Sequence, residues 1–251
     1  MRPWGSLKHR DLHAVEEMDR PDCDPVRLTR TYARFPVVNS LLSGWRRTYE
    51  HRIRPLMSGS DPVTLLDVGC GSGDVARSLA RWAQRDGLRL EITAIDPDPR
   101  AYDFARHAPH VAGVTYRRAH SSQLVSENRT FDVVISNHIL HHLDAGQLAG
   151  VLRDSELLSR RLVLHNDLVR SNISYLLFMA GFWPLGLGSY ICGDGLVSIK
   201  RSYTRPELRA AVPGNWTVEA NGPWHSLLVY EAREIYGNRH VPGAGQEGED
   251  A

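Results

Sequence analysis

Three glycines spaced two residues apart follow directly on an apolar run, and this junction constrains the fold more than any other part of the chain. The run is V-T-L-L-D-V at 63–68, and Gly69, Gly71 and Gly73 come after it. The apolar run predicts a buried parallel β-strand, and the apolar residues at helical spacing over 75–83 predict a helix. Glycine tolerates positive φ and leaves the backbone bare, so the turn can lie against a ligand. An α/β fold with a nucleotide-binding turn is therefore expected.

Two acids beside these glycines indicate which nucleotide is bound. A dinucleotide fingerprint has the spacing G-x-G-x-x-G and offers a helix N-terminus to a pyrophosphate. Here Asp74 stands where the third glycine would be, and Asp67 precedes the turn. The two carboxylates would repel a pyrophosphate, whereas they suit a ligand that carries an ammonium and a sulfonium. We therefore predict S-adenosyl-L-methionine as the cofactor.

At these residues the chain resembles the class I S-adenosylmethionine-dependent methyltransferases, whose first motif is acid-x-G-x-G-x-G. A second strand, 88–96, ends on Asp96, and in the family such a carboxylate holds the ribose hydroxyls. A further strand, 131–137, runs into H-I-L-H-H-L at 138–143, which looks like the fourth motif of the small-molecule members. A DNA adenine methyltransferase would show N-P-P-Y or D-P-P-Y there. The resemblance covers roughly residues 61 to 235 and implies a doubly wound, seven-stranded, mostly parallel Rossmann-like sheet.

The resemblance also implies where the cofactor binds and that the product is S-adenosyl-L-homocysteine. Many relatives bind the adenine amino group with an acid after the third strand. This chain has His120 and Ser121 at that point, and we expect one of them to make the contact. The predicted cofactor-binding residues are Asp67, Gly69, Cys70, Gly71, Gly73, Asp74, Asp96, Pro97, His120, Ser121, Asn137 and His138.

Residues 1–60 are predicted to form an N-terminal helical cap. Asp24 followed by Pro25 indicates the start of a helix that extends to about Arg34. Pro36 is then expected to bend the chain, and a second amphipathic helix is expected to end near Pro55. In relatives of this kind such a cap closes the active site from one side.

The residues from 171 to 193 carry no formal charge. Their length alone would allow a membrane span. Glycines and a proline interrupt the run, however, so we predict a helix over Ile173–Phe182 followed by a glycine-rich loop. This lid insertion, 171–200, would cover the substrate pocket, and a plain core helix is the alternative. Its apolar lining favours an apolar or aromatic substrate and allows transient contact with a membrane surface.

The remaining sequence predicts a methyltransferase domain over 61–237, and a disordered tail over 238–251. The fifth strand is expected at 161–167, and the last two strands at 215–220 and 226–232.

Transfer of a methyl group to a hydroxyl gains from a base, because a phenol has a pKa of about 10 and histidine one of about 6.5. Ligands of open parallel sheets bind beyond the carboxyl ends of the strands. His165 ends the fifth strand, so it is the leading candidate, with Asp167 to orient its ring or bind substrate. His141 is the second candidate. The histidine and acid spacings match no metal-ligand pattern, so no metal is predicted.

Composition narrows the class of partner. A formal net charge of +1 without a basic stripe disfavours nucleic acid as a substrate. Three cysteines without ligand spacing suggest a reducing compartment, and the first twenty residues lack the apolar segment of a signal peptide. The cytoplasm is therefore the expected location, while the oligomeric state is left open.

The predicted reaction is O-methylation of a phenolic or enolic hydroxyl on an apolar small molecule of secondary-metabolite or polyketide type. The segment 196–204 also resembles methyltransferases that act on such molecules. C-methylation of a quinol or lipid-like precursor is the nearest alternative. Two further alternatives are a protein that binds S-adenosylmethionine without catalysis and a nicotinamide oxidoreductase.

Overall fold

A computed structural model of the protein describes residues 7–59 and 61–232. Seven strands form one sheet in the order β3-β2-β1-β4-β5-β7-β6. The first five strands pair in parallel, and β7 runs antiparallel to both β5 and β6. The seven-stranded, mostly parallel sheet that the sequence predicted is confirmed. The strands are β1 (Val63–Val68), β2 (Leu90–Ile95), β3 (Val114–Arg117), β4 (Phe131–Asn137), β5 (Ser159–Leu168), β6 (Thr217–Asn221) and β7 (His225–Glu231).

Helices connect the parallel strands and cover both faces of the sheet, as parallel sheets require. Short 3-10 turns lie at Glu17–Asp19, Arg54–Met57 and Leu140–His142, and a π-helical turn lies at Tyr49–Ile53. The α-helices are α1 (Pro25–Leu42), α2 (Trp45–Thr48), α3 (Asp74–Arg85), α4 (Pro99–His107), α5 (Ser121–Ser126), α6 (Ala145–Leu158), α7 (Asn172–Gly186), α8 (Ile191–Arg201) and α9 (Arg205–Ala211).

The order of the strands determines where a ligand can enter. The chain proceeds from β1 outward to β3, and then returns to place β4 on the other side of β1. This reversal opens a crevice beyond the carboxyl ends of β1 and β4, where open α/β sheets bind their ligands. The glycine turn follows β1, and the H-I-L-H-H-L segment follows β4.

Alternate residues of each strand enter two separate cores, because strand side chains point to opposite faces. Leu65 packs with the cap residues Trp45 and Tyr49. Leu66, its neighbour, packs on the other face with Leu148 of α6. The cap is therefore part of one core of the sheet.

The first helix of the cap differs from its prediction. It does not end near Arg34 but continues through Pro36 to Leu42. A proline inside a helix removes one backbone hydrogen bond, and the helix continues here with buried residues on both sides of Pro36, Tyr32 and Val38. The turn lies instead at Gly44, whose φ of 70° suits glycine.

The lid segment is more helical than predicted. Helix α7 extends to Gly186, and α8 occupies much of the expected loop. Phe178 lines the cavity described below, whereas Ile173, Leu177 and Trp183 are exposed, so only part of the apolar surface faces inward. Among the helices that the structure describes, none is both long and apolar enough to cross a membrane. The tail predicted over 238–251 lies outside the described residues.

Candidate active site

The glycine turn adopts the conformation for which glycine is needed. Gly69, Gly71 and Gly73 have φ values of 68°, 54° and 70°. The backbone N–H groups of Gly69 and Cys70 both donate to the carbonyl of Ile95, at 2.8 and 3.0 Å, which fixes the turn against the end of β2. Other L-residues rarely adopt such φ values, so the turn depends on its three glycines.

A cavity of about 420 Å³ opens beside this turn. One side consists of residues from the predicted cofactor site, and the other consists of cap, lid and N-terminal residues. The predicted cofactor-binding residues that line it are Asp67, Gly69, Cys70, Gly71, Asp74, Asp96, Pro97, Asn137 and His138.

Three predicted cofactor residues do not line the cavity. Gly73 lies behind the turn, where an added Cβ would approach the Tyr116 ring to 2.6 Å. His120 is exposed at the start of α5. The Ser121 hydroxyl donates to Asp154 across 2.7 Å and is buried there, so Ser121 is not available for the adenine contact predicted for it.

Asp67 is a buried carboxylate without a partner. Its side chain is 1% exposed, and neither oxygen has a hydrogen-bond partner within the part of the chain that the structure describes. Burial, together with the nearby charges of Asp74 and Asp96, raises its pKa to about 8. An unpaired buried carboxylate is costly, so Asp67 is poised to receive a cationic or hydrogen-bond-donating ligand.

Asp74 and Asp96 make hydrogen bonds that the sequence does not reveal. The Asp74 side chain accepts from Asn39 Nδ2 and from the Ser72 hydroxyl, each at 2.9 Å. Asp96 accepts from the backbone N–H groups of Gly71 and Asp98, also at 2.9 Å each. Asp96 therefore holds the glycine turn in place, and burial raises the pKa values of both acids.

His141 lies between two carboxylates. Its Nδ1 is 2.7 Å from Asp167 Oδ1, and its Nε2 is 3.3 Å from Glu16 Oε1. Burial would lower its pKa, but the two carboxylates outweigh burial and raise it to about 10. His141 is thus protonated at neutral pH and has no free lone pair, which contradicts its prediction as a base. Asp167 orients His141 rather than His165.

His165 is wrong as the predicted base, because it does not reach the cavity. The ring is fully buried on the face of the sheet that packs against α6, and not on the face that packs against the cap. There it stacks on Trp216, with 5.5 Å between the ring centroids. Its Nδ1 bonds to the Ser136 hydroxyl at 2.7 Å. Burial lowers its pKa to about 3.

Glu16 is a buried acid of the cavity that was not among the predicted site residues. The Ser198 hydroxyl donates to Glu16 at 2.7 Å, and Asp194 accepts from the backbone N–H groups of Glu17 and Met18. Although burial opposes it, bonding to His141 lowers the pKa of Glu16 to about 2. No local pattern marks Glu16, because its partners are distant in sequence.

Glu16 also changes the argument about metals. One ligand atom each from Glu16, His141 and His142 lies within 4.8 Å of the others, so these three residues could hold a metal ion. The prediction of no metal rested on sequence spacing, which cannot detect a ligand set that folding assembles. The fold brings Glu16 to the two histidines from more than a hundred residues away.

A family model for the methyltransferase domain matches residues 65–158. The ubiquinone biosynthesis O-methyltransferase of Methylocella silvestris is 37% identical over 92 residues, which cover 36% of this chain and 32% of that protein. A protein of the same description from Cereibacter sphaeroides (strain ATCC 17029) is 30% identical over 47% of each chain. The chain thus spans about a third to a half of the length of these curated relatives.

Solved structures support the fold. The plantazolicin methyltransferase BpumL in complex with SAH superposes with a TM-score of 0.61 at 13% identity, over 87% of this chain and 93% of that one. Magnesium protoporphyrin IX methyltransferase from Synechocystis PCC 6803 gives a TM-score of 0.50 at 12% identity, over 81% and 86% of the two chains. Taken with the acid-flanked glycine turn at the β1–β4 crevice, these findings show that the chain contains a class I S-adenosylmethionine-dependent methyltransferase domain.

Proposed function

We propose that the protein transfers the methyl group of S-adenosylmethionine to a phenolic or enolic hydroxyl of an apolar small molecule. The observation that carries this proposal is that one cavity joins the glycine turn to the apolar residues of the cap and lid. A donor and an acceptor can therefore meet in a single chamber that is partly closed to water.

The residues on the donor side fit S-adenosylmethionine. Asp67 is a buried carboxyl group without a partner among the described residues, and a positively charged ligand would stabilise its ionised form. We assign the ribose hydroxyls to Asp96, which lines the cavity. When bound, the cofactor supplies a methyl group already activated by its sulfonium. The task of the chain is therefore to align the acceptor with that group and to exclude water.

The acceptor side is apolar with a charged end. Its wall includes Phe35, Val38 and Leu42 of α1, together with Phe178 of α7 and Ile191 of α8. Glu16 and the protonated His141 line the same cavity and supply polar groups. Such a pocket suits an aromatic body with one or more hydroxyls. The O-methyltransferase description of the curated relatives supports oxygen as the acceptor atom.

Incubation of the purified protein with labelled S-adenosylmethionine and a set of apolar phenols, enols and hydroquinones tests this proposal. We expect a labelled product whose mass-spectrometric fragments place the methyl group on oxygen. Asp96→Ala is expected to weaken S-adenosylhomocysteine binding about tenfold or more, because charge-assisted bonds contribute about 1.5–3 kcal/mol each. Asp103→Ala, which removes an exposed acid paired with Arg106, is the matched control.

Three outcomes would contradict the proposal in different ways. A methyl group on ring carbon would establish C-methylation instead. Binding of S-adenosylhomocysteine without turnover of any acceptor would favour a non-catalytic binding protein. Tight binding of NADH without any response to S-adenosylhomocysteine would refute the donor assignment.

A further inference from the structure

Two histidines from distant parts of the chain form a hydrogen-bonded pair at the wall of the cavity. His138 follows β4 and lines the cavity, whereas His225 begins β7 and is fully buried. Their Nε2 atoms are 2.8 Å apart, and the rings stack at 5.0 Å between centroids with 17° between the planes. No feature of the local sequence joins them.

The backbone of His138 is held in an unusual conformation. Its φ is 60°, and among the described residues only Asn128 is another non-glycine with positive φ. Such a conformation costs about 1–3 kcal/mol and persists where the surroundings impose it. The backbone N–H of His138 donates to the carbonyl of Asn166 at 2.9 Å, which holds the residue in this position.

Both rings of the pair are uncharged at neutral pH, so each has one ring nitrogen without a hydrogen. Two facing ring nitrogens can share only one hydrogen, so the close Nε2–Nε2 contact requires at least one neutral ring. Burial lowers the pKa of His138 to about 4 and that of His225 to about 3. Both rings are thus neutral near pH 7, unlike His141, which two carboxylates keep protonated. Nδ1 of His138 makes no hydrogen bond with the described residues.

We propose that His138 is the general base of the reaction and that His225 is its positioning residue. This inference rests on the proposed O-methylation. His138 Nε2–H donates to His225 Nε2, which leaves a lone pair on Nδ1 of His138. As the acceptor oxygen bonds to the methyl carbon, the carbon–sulfur bond breaks and its electron pair stays on sulfur. The hydroxyl proton moves to Nδ1 of His138.

Charge conservation makes this transfer feasible despite the low basicity of His138. The sulfonium loses its positive charge in the same step in which His138 gains one, so the net charge of the cavity does not change. Asp167 of β5 and Glu16 of the N-terminal segment favour the charged ring. His141 and His142, which follow β4, and His225 of β7 oppose it.

The test compares two acceptors of similar size at pH 7.5, a simple phenol and a nitrophenol whose hydroxyl is already ionised. His138→Asn removes the base while keeping a residue that tolerates positive φ. We expect its kcat/KM to fall about a hundredfold with the phenol, and to stay within about threefold of wild type with the ionised acceptor. His51→Ala, an exposed cap histidine, is expected to match wild type with both.

His225 is tested in the same assay. His225→Phe should lose activity only with the un-ionised phenol, whereas His225→Gln, which keeps a polar group toward His138, should recover part of it. Equal losses with both acceptors, or no loss in His138→Asn, would overturn the proposal. Equal losses together with weaker S-adenosylhomocysteine binding would make His138 a cofactor contact instead. A wild-type protein that methylates neither acceptor would refute the proposed function, which is a separate result.

Discussion

Asn39 of the cap donates a hydrogen bond from Nδ2 to Asp74 Oδ2 across 2.9 Å, and so connects α1 to the first residue of α3. Both residues line the cavity. The cap is therefore attached to the predicted cofactor site by a polar contact as well as by the apolar core.

Asn39→Ala should weaken S-adenosylhomocysteine binding about three- to tenfold, because it removes one hydrogen bond to a charged group and leaves Asp74 less well held. Isothermal calorimetry of the ligand measures this effect. Asn215→Ala, which removes a surface bond to Glu156, is the control and should bind as wild type does. Identical affinities for the two variants would show that the cap does not support the donor site.

Asp67 should make the unliganded protein less stable as pH rises. Its folded pKa of about 8 lies above the usual value of 3.8, so its contribution is fully present below pH 3.8 and is lost as pH rises through 8. The side chain of the Asp67→Asn variant cannot ionise. Between pH 5 and pH 9 its free energy of unfolding should therefore fall less than that of wild type, by on the order of a few kcal/mol. Urea unfolding at both pH values measures the difference.

Asp103→Asn is the matched control for Asp67→Asn, because Asp103 is exposed and pairs with Arg106 on the surface. Its unfolding free energy should follow that of wild type at both pH values. If Asp67→Asn also followed wild type, Asp67 would have an ordinary pKa in the empty site.

The two glycines Gly71 and Gly73 should differ in their tolerance of alanine. Both have positive φ, but a Cβ on Gly73 would meet Tyr116 Cε1 at 2.6 Å, whereas one on Gly71 would meet nothing within 4 Å. Gly71→Ala therefore carries only backbone strain, about 1 kcal/mol, and Gly73→Ala should cost about 2–4 kcal/mol. Denaturant unfolding without ligand compares them, and equal losses would mean that Tyr116 moves aside freely.

Arg170 should hold the N-terminal segment that carries Glu16. Its guanidinium is fully buried and donates to the carbonyls of Leu7, Lys8 and Ser202, at 3.0, 3.2 and 2.6 Å. Arg170→Met removes these three hydrogen bonds and the ion pair with Glu207, which should cost on the order of 3 kcal/mol. Limited proteolysis should then cleave within residues 7–20 faster than in wild type.

The exposed Arg85 of α3 provides the control for Arg170→Met. Arg85→Met should leave the cleavage rate unchanged. Protection of residues 7–20 in both variants would show that contacts around Glu16 suffice to hold the segment.

The glycine turn and the parallel strands could be predicted because the signals for them are local. Apolar runs and glycine spacing act within a few residues, and parallel strands place their carboxyl ends at one edge. Asp67, Asp74 and Asp96 therefore could be located near one another from sequence. The continuation of α1 through Pro36 could not be predicted, because packing against residues far away in sequence decides whether a helix tolerates a proline.

The histidines separate the information that is local in the chain from the information that appears only when the chain folds. Sequence determines that His138, His141 and His165 lie near the carboxyl ends of β4 and β5. It does not determine which face of the sheet the His165 ring occupies, because a shift of one residue in the register of β5 would turn that ring to the other face. His165 shares the face of Trp216 and so misses the cavity. The pairings of His141 with Glu16 and of His138 with His225 form only when segments far apart in sequence pack together, and burial and partner charges then set their opposite pKa shifts.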